Sequence, residues 1–137
     1  MSQQNLSHAL LHPRNWKPAK GYANGVAAEG RIVFVAGQIG WNPKQKFESH
    51  DFVAQTRQTL QNVVAVVREA GGKPEHITRL TWYVTDKRDY LSRLEDVGTA
   101  YRSVMGKHFP AMTMVQVAAL VEDGAKVEIE ATAVVPK

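Results

Sequence analysis

The segment Val127-Glu128-Ile129-Glu130-Ala131-Thr132-Ala133 alternates apolar and polar residues without a break. A period of two fits a strand and not a helix, because successive side chains of an extended chain point to opposite faces. Val127, Ile129, Ala131 and Ala133 therefore share one face, and Glu128, Glu130 and Thr132 share the other. The apolar face needs a covering layer. The carboxylate face needs a different explanation. Either it is solvated, as one side of an antiparallel sheet commonly is, or it lines a cavity or subunit interface where one Glu works on a ligand.

The remaining periodicities supply the covering layer. Arg31-Ile32-Val33-Phe34-Val35-Ala36 is rich in β-branched and aromatic residues and reads as a strand. A shorter strand over Tyr22 to Val26 is expected to pair with it through the Glu29-Gly30 turn, and Gly40-Trp41-Asn42-Pro43 starts a loop. Residues 50–70 place Val53, Leu60, Val63, Val64 and Val67 at helical spacing, with Ser49 as N-cap, Asp51 near the N-terminal dipole and Gly71-Gly72 as the stop. Leu80 to Thr85 is a further strand. Asp89 to Met105 reads as one amphipathic helix, with Leu91, Leu94, Val97, Tyr101 and Val104 on its buried stripe. Strands over 111–120 and 126–135 close the chain, joined by Glu122-Asp123-Gly124.

The order β-β-α-β-α-β-β predicts an α+β domain over residues 21–137, one sheet with both helices on a single face, preceded by an extended or partly ordered arm over residues 1–20. Such a sheet leaves its second face open. Met112, Met114 and Leu120 are expected there among Gln116, Glu128, Glu130 and Thr132, and an apolar surface of that size calls for oligomerisation.

Composition removes several function classes. At 137 residues the chain makes one domain, and 44% hydrophobic with 22% charged residues is an ordinary soluble composition. No apolar run approaches the roughly 20 residues that span a bilayer, and Met1-Ser2-Gln3-Gln4-Asn5 lacks a secretory profile, so a cytoplasmic protein without membrane partners is expected. The absence of cysteine removes disulfides and thiolate chemistry. The net charge of +4 is scattered along the chain instead of gathered into a patch, which argues against specific nucleic-acid binding. His8 and His12 have helical metal-ligand spacing but no Glu or Cys support, and no phosphate-loop pattern occurs, so neither metal nor cofactor is expected.

Gly37-Gln38 after the early strand, Phe109-Pro110-Ala111 before a late one, and the closing Val-Glu-Ile-Glu-Ala-x-Ala occur in that order. Together, from about Tyr22 to Val135, they resemble the RidA (YjgF-like) family of small trimeric proteins, many of which hydrolyse reactive enamines and imines. The resemblance implies a homotrimer with clefts between subunits, a small-molecule substrate, and Glu128 as the residue that orients the attacking water. It also implies substrate contacts from Tyr22, Gly37, Gln38, Met112 and Thr113. Two positions depart from the family pattern. A serine before Gly37 is replaced by Ala36, and the arginine that grips a substrate carboxylate is replaced by Met112, which offers no charge and almost no hydrogen bonding.

Each candidate has a structural reading beside the functional one. Glu128 could be an interface carboxylate, Tyr22 a core residue with one hydrogen bond, Met112 packing, and Gln38 a tie between neighbouring backbone groups. Lys107-His108, just before the Pro-Ala pair, could supply substitute positive charge. Three functions follow: a divergent enamine/imine deaminase-like hydrolase, a non-catalytic small-ligand binder using the same cleft, and the ribonuclease or translation-inhibitor activity with which some family members are labelled.

Overall fold

The computed structural model describes residues 8–137. Residues 1–7 of the expected arm lie outside that range. The elements are β1 (His8–Leu11), β2 (Gly25–Ala28), β3 (Arg31–Ile39), α1 (Phe52–Glu69), a 3-10 turn (Pro74–His76), β4 (Ile77–Val84), α2 (Lys87–Leu91), α3 (Leu94–Met105), β5 (Ala111–Gln116) and β6 (Val127–Val135). The main sheet runs β3-β6-β4-β5, antiparallel except for the β4–β5 pair. The α+β architecture is the one expected, with helices packed on one side of the sheet.

The closing strand takes the central position that its alternation suits. β6 is flanked by β3 and β4, and Val127, Ile129, Ala131 and Ala133 are all buried. Leu60, Val63, Val64 and Val67 of α1 meet this face together with Leu80, Trp82 and Val84 of β4. Each fully buried aliphatic side chain contributes about 1.5–3 kcal/mol. That burial offsets the poor helix propensity of the valines in α1.

Asp51, not Ser49, caps α1. Its carboxylate accepts the Ala54 N–H at 3.0 Å, while the Ser49 hydroxyl accepts the Asp51 N–H. The Ala54 amide and the Arg93 guanidinium hold the Asp51 carboxyl below its usual range. The expected single helix over Asp89 to Met105 is two helices. Asp86 caps the first through the Arg88 N–H at 2.9 Å, and Arg93 breaks the path with φ −137° and ψ 41° as its side chain pairs with Asp51. The break frees Leu91 and Leu94 from the core, so both are exposed, while Val97, Ala100, Tyr101 and Met105 carry the buried stripe.

The N-terminal region also departs from expectation. β2 pairs with β1, not with β3, in the register His8↔Ala28 to Leu11↔Gly25. Gly30, at φ 147°, occupies a backbone region open essentially to glycine, and there the chain leaves β2 for the opposite edge of the sheet. Residue 23 instead bridges to Ala111 at the start of β5, where the Ala23 N–H donates to the Pro110 carbonyl at 3.0 Å. The strand expected over 111–120 ends at Gln116.

The open sheet face has a different composition from the one expected. Met112 and Met114 stand in register with buried Leu80 and Trp82 and pack against the core on the helix side. Parallel pairing of β5 with β4 decides this, because in-register neighbours share a face. The apolar surface of the open face comes from Ile32, Val115 and Phe34, the last 78% exposed.

Candidate functional site

The closing strand carries Glu128 into a narrow setting. Its register partners are Ile39 on β3 and Tyr83 on β4. Between Val35 and Gln38 the β3–β6 register shifts, a bulge that contains Ala36 and Gly37. A bulge re-aims the residues around it, and here it brings the Gly37 backbone against the Glu128 side chain. A Cβ added to Gly37 would lie 2.9 Å from the Glu128 carboxyl carbon and would overlap one carboxylate oxygen. The missing side chain is therefore what leaves room for the carboxylate.

Tyr83 and Glu130 complete this group. The Tyr83 hydroxyl donates to a Glu130 carboxylate oxygen at 3.2 Å. Desolvation, then the charges of Glu130 and Glu128, push the phenol above its ordinary value, so it stays protonated as a donor. Sequence reading missed Tyr83. The alternation Leu80-Thr81-Trp82-Tyr83-Val84 puts Tyr83 on the face opposite the core, but only the register with β6 sets it opposite Glu128. Beside this group, Phe34, Ala36, Arg79, Glu130 and Thr132 line a shallow cavity of about 360 Å³ on the open face. Gln38 does not offer its amide to that space, since its Nε2 donates to the Ala36 carbonyl at 3.0 Å.

Tyr22 and Met112 meet elsewhere. With Trp82, Tyr90, Leu94 and Arg102 they line a cavity of about 510 Å³ between β5 and α3, within the usual size of small-molecule sites. Its inner wall is an aromatic stack. Trp82 and Tyr101 centroids lie 6.4 Å apart, and Tyr101 and Phe109 lie 5.2 Å apart with an interplanar angle of 11°. The Tyr101 hydroxyl donates to the His108 carbonyl at 2.6 Å, and burial pushes its phenol well above the ordinary value. Trp82 belongs to this wall.

The sequence-derived candidates thus form two groups within one chain. Glu128 and Gly37 sit together at the β3–β6 bulge, with Gln38 adjacent. Tyr22 and Met112 share the cavity on the helix side of β5. Thr113 is exposed, in register with Thr81. His8 and His12 do not converge as a pair: His8 Nε2 lies 3.1 Å from the His76 carbonyl, and His12 Nε2 lies 3.0 Å from the Trp16 carbonyl. His108 turns toward the Ile77 carbonyl at 2.8 Å, while Lys107 lines a neighbouring groove with Leu10, Leu11 and Tyr22. No helix among the described residues is long and apolar enough to cross a membrane.

Known proteins share both this sequence and this fold. The 2-iminobutanoate/2-iminopropanoate deaminase of Escherichia coli (strain K12) is 40% identical over 116 residues, covering 82% of this chain and 86% of the relative. The crystal structure of YyfB from Yersinia pestis, a Rid-family protein of unknown function, superposes with a TM-score of 0.85 at 29% identity, over 95% of this chain and all of that one. Escherichia coli TdcF with bound serine gives a TM-score of 0.67 at 32% identity, over 92% of this chain and 98% of that one. The family model described as Endoribonuclease L-PSP matches residues 13–135. This chain therefore belongs to that family, the RidA (YjgF-like) proteins that its motifs resemble.

Proposed function

We propose that this chain is a divergent RidA-type hydrolase of enamines and imines, acting in clefts between the subunits of a homotrimer. The observation that carries the reading is the Glu128 carboxylate seated against Gly37. It is half-buried, free of any ion pair among the described residues, and beside a protonated phenol. The naming of a 40% identical relative as an imine deaminase supports the reaction class.

The chemistry needs a C=N group protonated on nitrogen, so that its carbon is electrophilic, and a water aimed at that carbon. In this reading Glu128 accepts a proton from the water as its oxygen bonds to that carbon. The resulting carbinolamine releases ammonia and leaves a carbonyl. Tyr83, tied to Glu130, holds the carboxylate side of the site in place. The second group, Tyr22 and Met112, reaches the same substrate from the neighbouring subunit, which accounts for its separation from Glu128 within one chain. Gln38, whose amide is occupied by Ala36, contributes backbone shape.

Freshly generated imines of varied side chain, with and without a carboxylate, test the reading in a coupled ammonia assay. Hydrolysis by the wild type should fall by about 10²–10⁴ in Glu128→Gln, which keeps the shape and removes the base. A Glu128→Gln protein with the wild-type rate makes Glu128 structural and the mechanism wrong. Absence of turnover on every imine favours the second reading, a non-catalytic small-ligand binder. That reading draws support from the apolar replacements Ala36 and Met112.

A further inference from the structure

The cavity that holds Met112, where the resemblance implies an arginine, still carries positive charge. Arg102, one turn from the end of α3, lines the same cavity, as does Lys20, and no Asp or Glu takes part in its lining. Among the described residues Arg102 forms no ion pair and its guanidinium has no hydrogen-bond acceptor. Its position depends on a second residue. Gly98 precedes it by one helical turn, and a Cβ there would sit 3.0 Å from one guanidinium nitrogen and 3.7 Å from the guanidinium carbon. A glycine in the middle of a helix is less favourable than alanine. Here it lets the guanidinium lie flat along α3 at the cavity mouth.

An independent feature of the same wall lacks an acceptor. Trp82 is 97% buried by its 3% exposure, and its indole N–H finds no hydrogen-bond partner. Buried donors are satisfied in the great majority of cases, and an orphan calls for an explanation. Around these donors the wall is apolar: Leu94, Val97, Met112 and Met114.

We propose that Arg102, seated over Gly98, is the carboxylate clamp of this protein, and that the ligand is a monocarboxylate carrying a bulky apolar or aromatic side chain. The planar fork of Arg102 takes the carboxylate, and the side chain fills the space beside Met112 and Met114, against the wall that Trp82 helps to form. In this protein the clamp stands on α3 and not on β5. As a statement of substrate class this rests on the hydrolase reading, in which the ligand is the corresponding 2-imino acid. As a statement about binding it stands apart from turnover.

The test uses stable 2-oxo acids, which keep the carboxylate and side chain but have no imine to hydrolyse. Calorimetric titration of the full-length protein with 4-methyl-2-oxopentanoate, phenylpyruvate and pyruvate gives affinities. Nitrogen-15 NMR of the indole N–H, assigned by Trp82→Phe, reports on the wall. The two bulky acids should bind at least roughly tenfold more tightly than pyruvate, because added buried apolar groups each strengthen binding. Arg102→Met should weaken them by about 10- to 100-fold, the range of a lost charge-assisted contact. Arg102→Lys should lie between, and Gly98→Ala, which crowds the guanidinium without removing it, should weaken binding in the same direction. The Trp82 resonance should shift on titration in the wild type. Equal affinities for wild type and Arg102→Met, or a Trp82 resonance that ignores saturating ligand, would overturn the proposal. Tight, Arg102-dependent binding by a protein that hydrolyses no imine would sink the hydrolase reading and leave the clamp intact.

Discussion

Replacing Gly37 by alanine isolates the geometry of Glu128 from its chemistry. Gly37 has an ordinary negative or extended φ, so its backbone accepts alanine without strain. The new methyl group would stand 2.9 Å and 3.1 Å from the Glu128 carboxyl and γ carbons, against the 3.4–4 Å of ordinary contact. Those carbons belong to a flexible side chain, so Glu128 swings aside by roughly 1 Å and the strand does not move. A misplacement of about 1 Å costs on the order of 10²-fold in rate. Stability should stay within about 1 kcal/mol of the wild type, because alanine gains about 0.5–1 kcal/mol in a strand through chain entropy. The measurements are initial rates of ammonia release and a thermal melt, on Gly37→Ala, Glu128→Gln and the double variant. If Gly37 acts only by leaving room for the carboxylate, the double variant is no slower than Glu128→Gln alone. Wild-type rates for Gly37→Ala, or a double variant much slower than Glu128→Gln, would refute this account of the site.

Three further outcomes are expected. The native mass by light scattering should be three times the 15.2 kDa chain, and Phe34→Glu on the open face should return a monomer; a monodisperse wild-type monomer at micromolar concentration ends the cleft model. Met112→Arg should raise the rate on 2-iminopropanoate by restoring a fork on the sheet, and equal slow rates for both proteins would show that this position does not govern carboxylate capture. Burial holds the His76 imidazole below its ordinary 6.5, with His8, Lys73 and His108 adding to the effect and Glu75 opposing it. Its neutral Nδ1 accepts the Lys73 N–H at 3.0 Å, and its ring stacks on His8 of β1. Because the folded value is depressed, this contribution to stability is present above pH 6.5 and declines as pH falls through the folded value. Protection of the β1 amides, measured against their intrinsic exchange rates, should therefore fall as pH is lowered below 6.5 in the wild type and not in His76→Asn.

The residue order alone determined the α+β class, the buried face of the closing strand, the buried stripe of α1 and the family. These rest on period, and period is local: Val127, Ile129, Ala131 and Ala133 share a face in any sheet that β6 joins. Tertiary structure decided what depends on pairing. Parallel register with β4 turned Met112 and Met114 toward the helices, although β5 has the same alternation whichever side it faces. The Arg93 break came from a carboxylate 42 positions earlier in the chain, at Asp51, and it exposed Leu91 and Leu94, whose spacing fits a buried stripe. The β3 bulge set Gly37 against Glu128, and the β4 register added Tyr83. Most consequential is the place of Arg102. Its spacing from Gly98 is visible in the sequence, but its presence in one cavity with Met112 arises only when α3 packs beside β5. An uncharged side chain on a strand and a charged one on a helix line one cavity only once folding brings them to the same space.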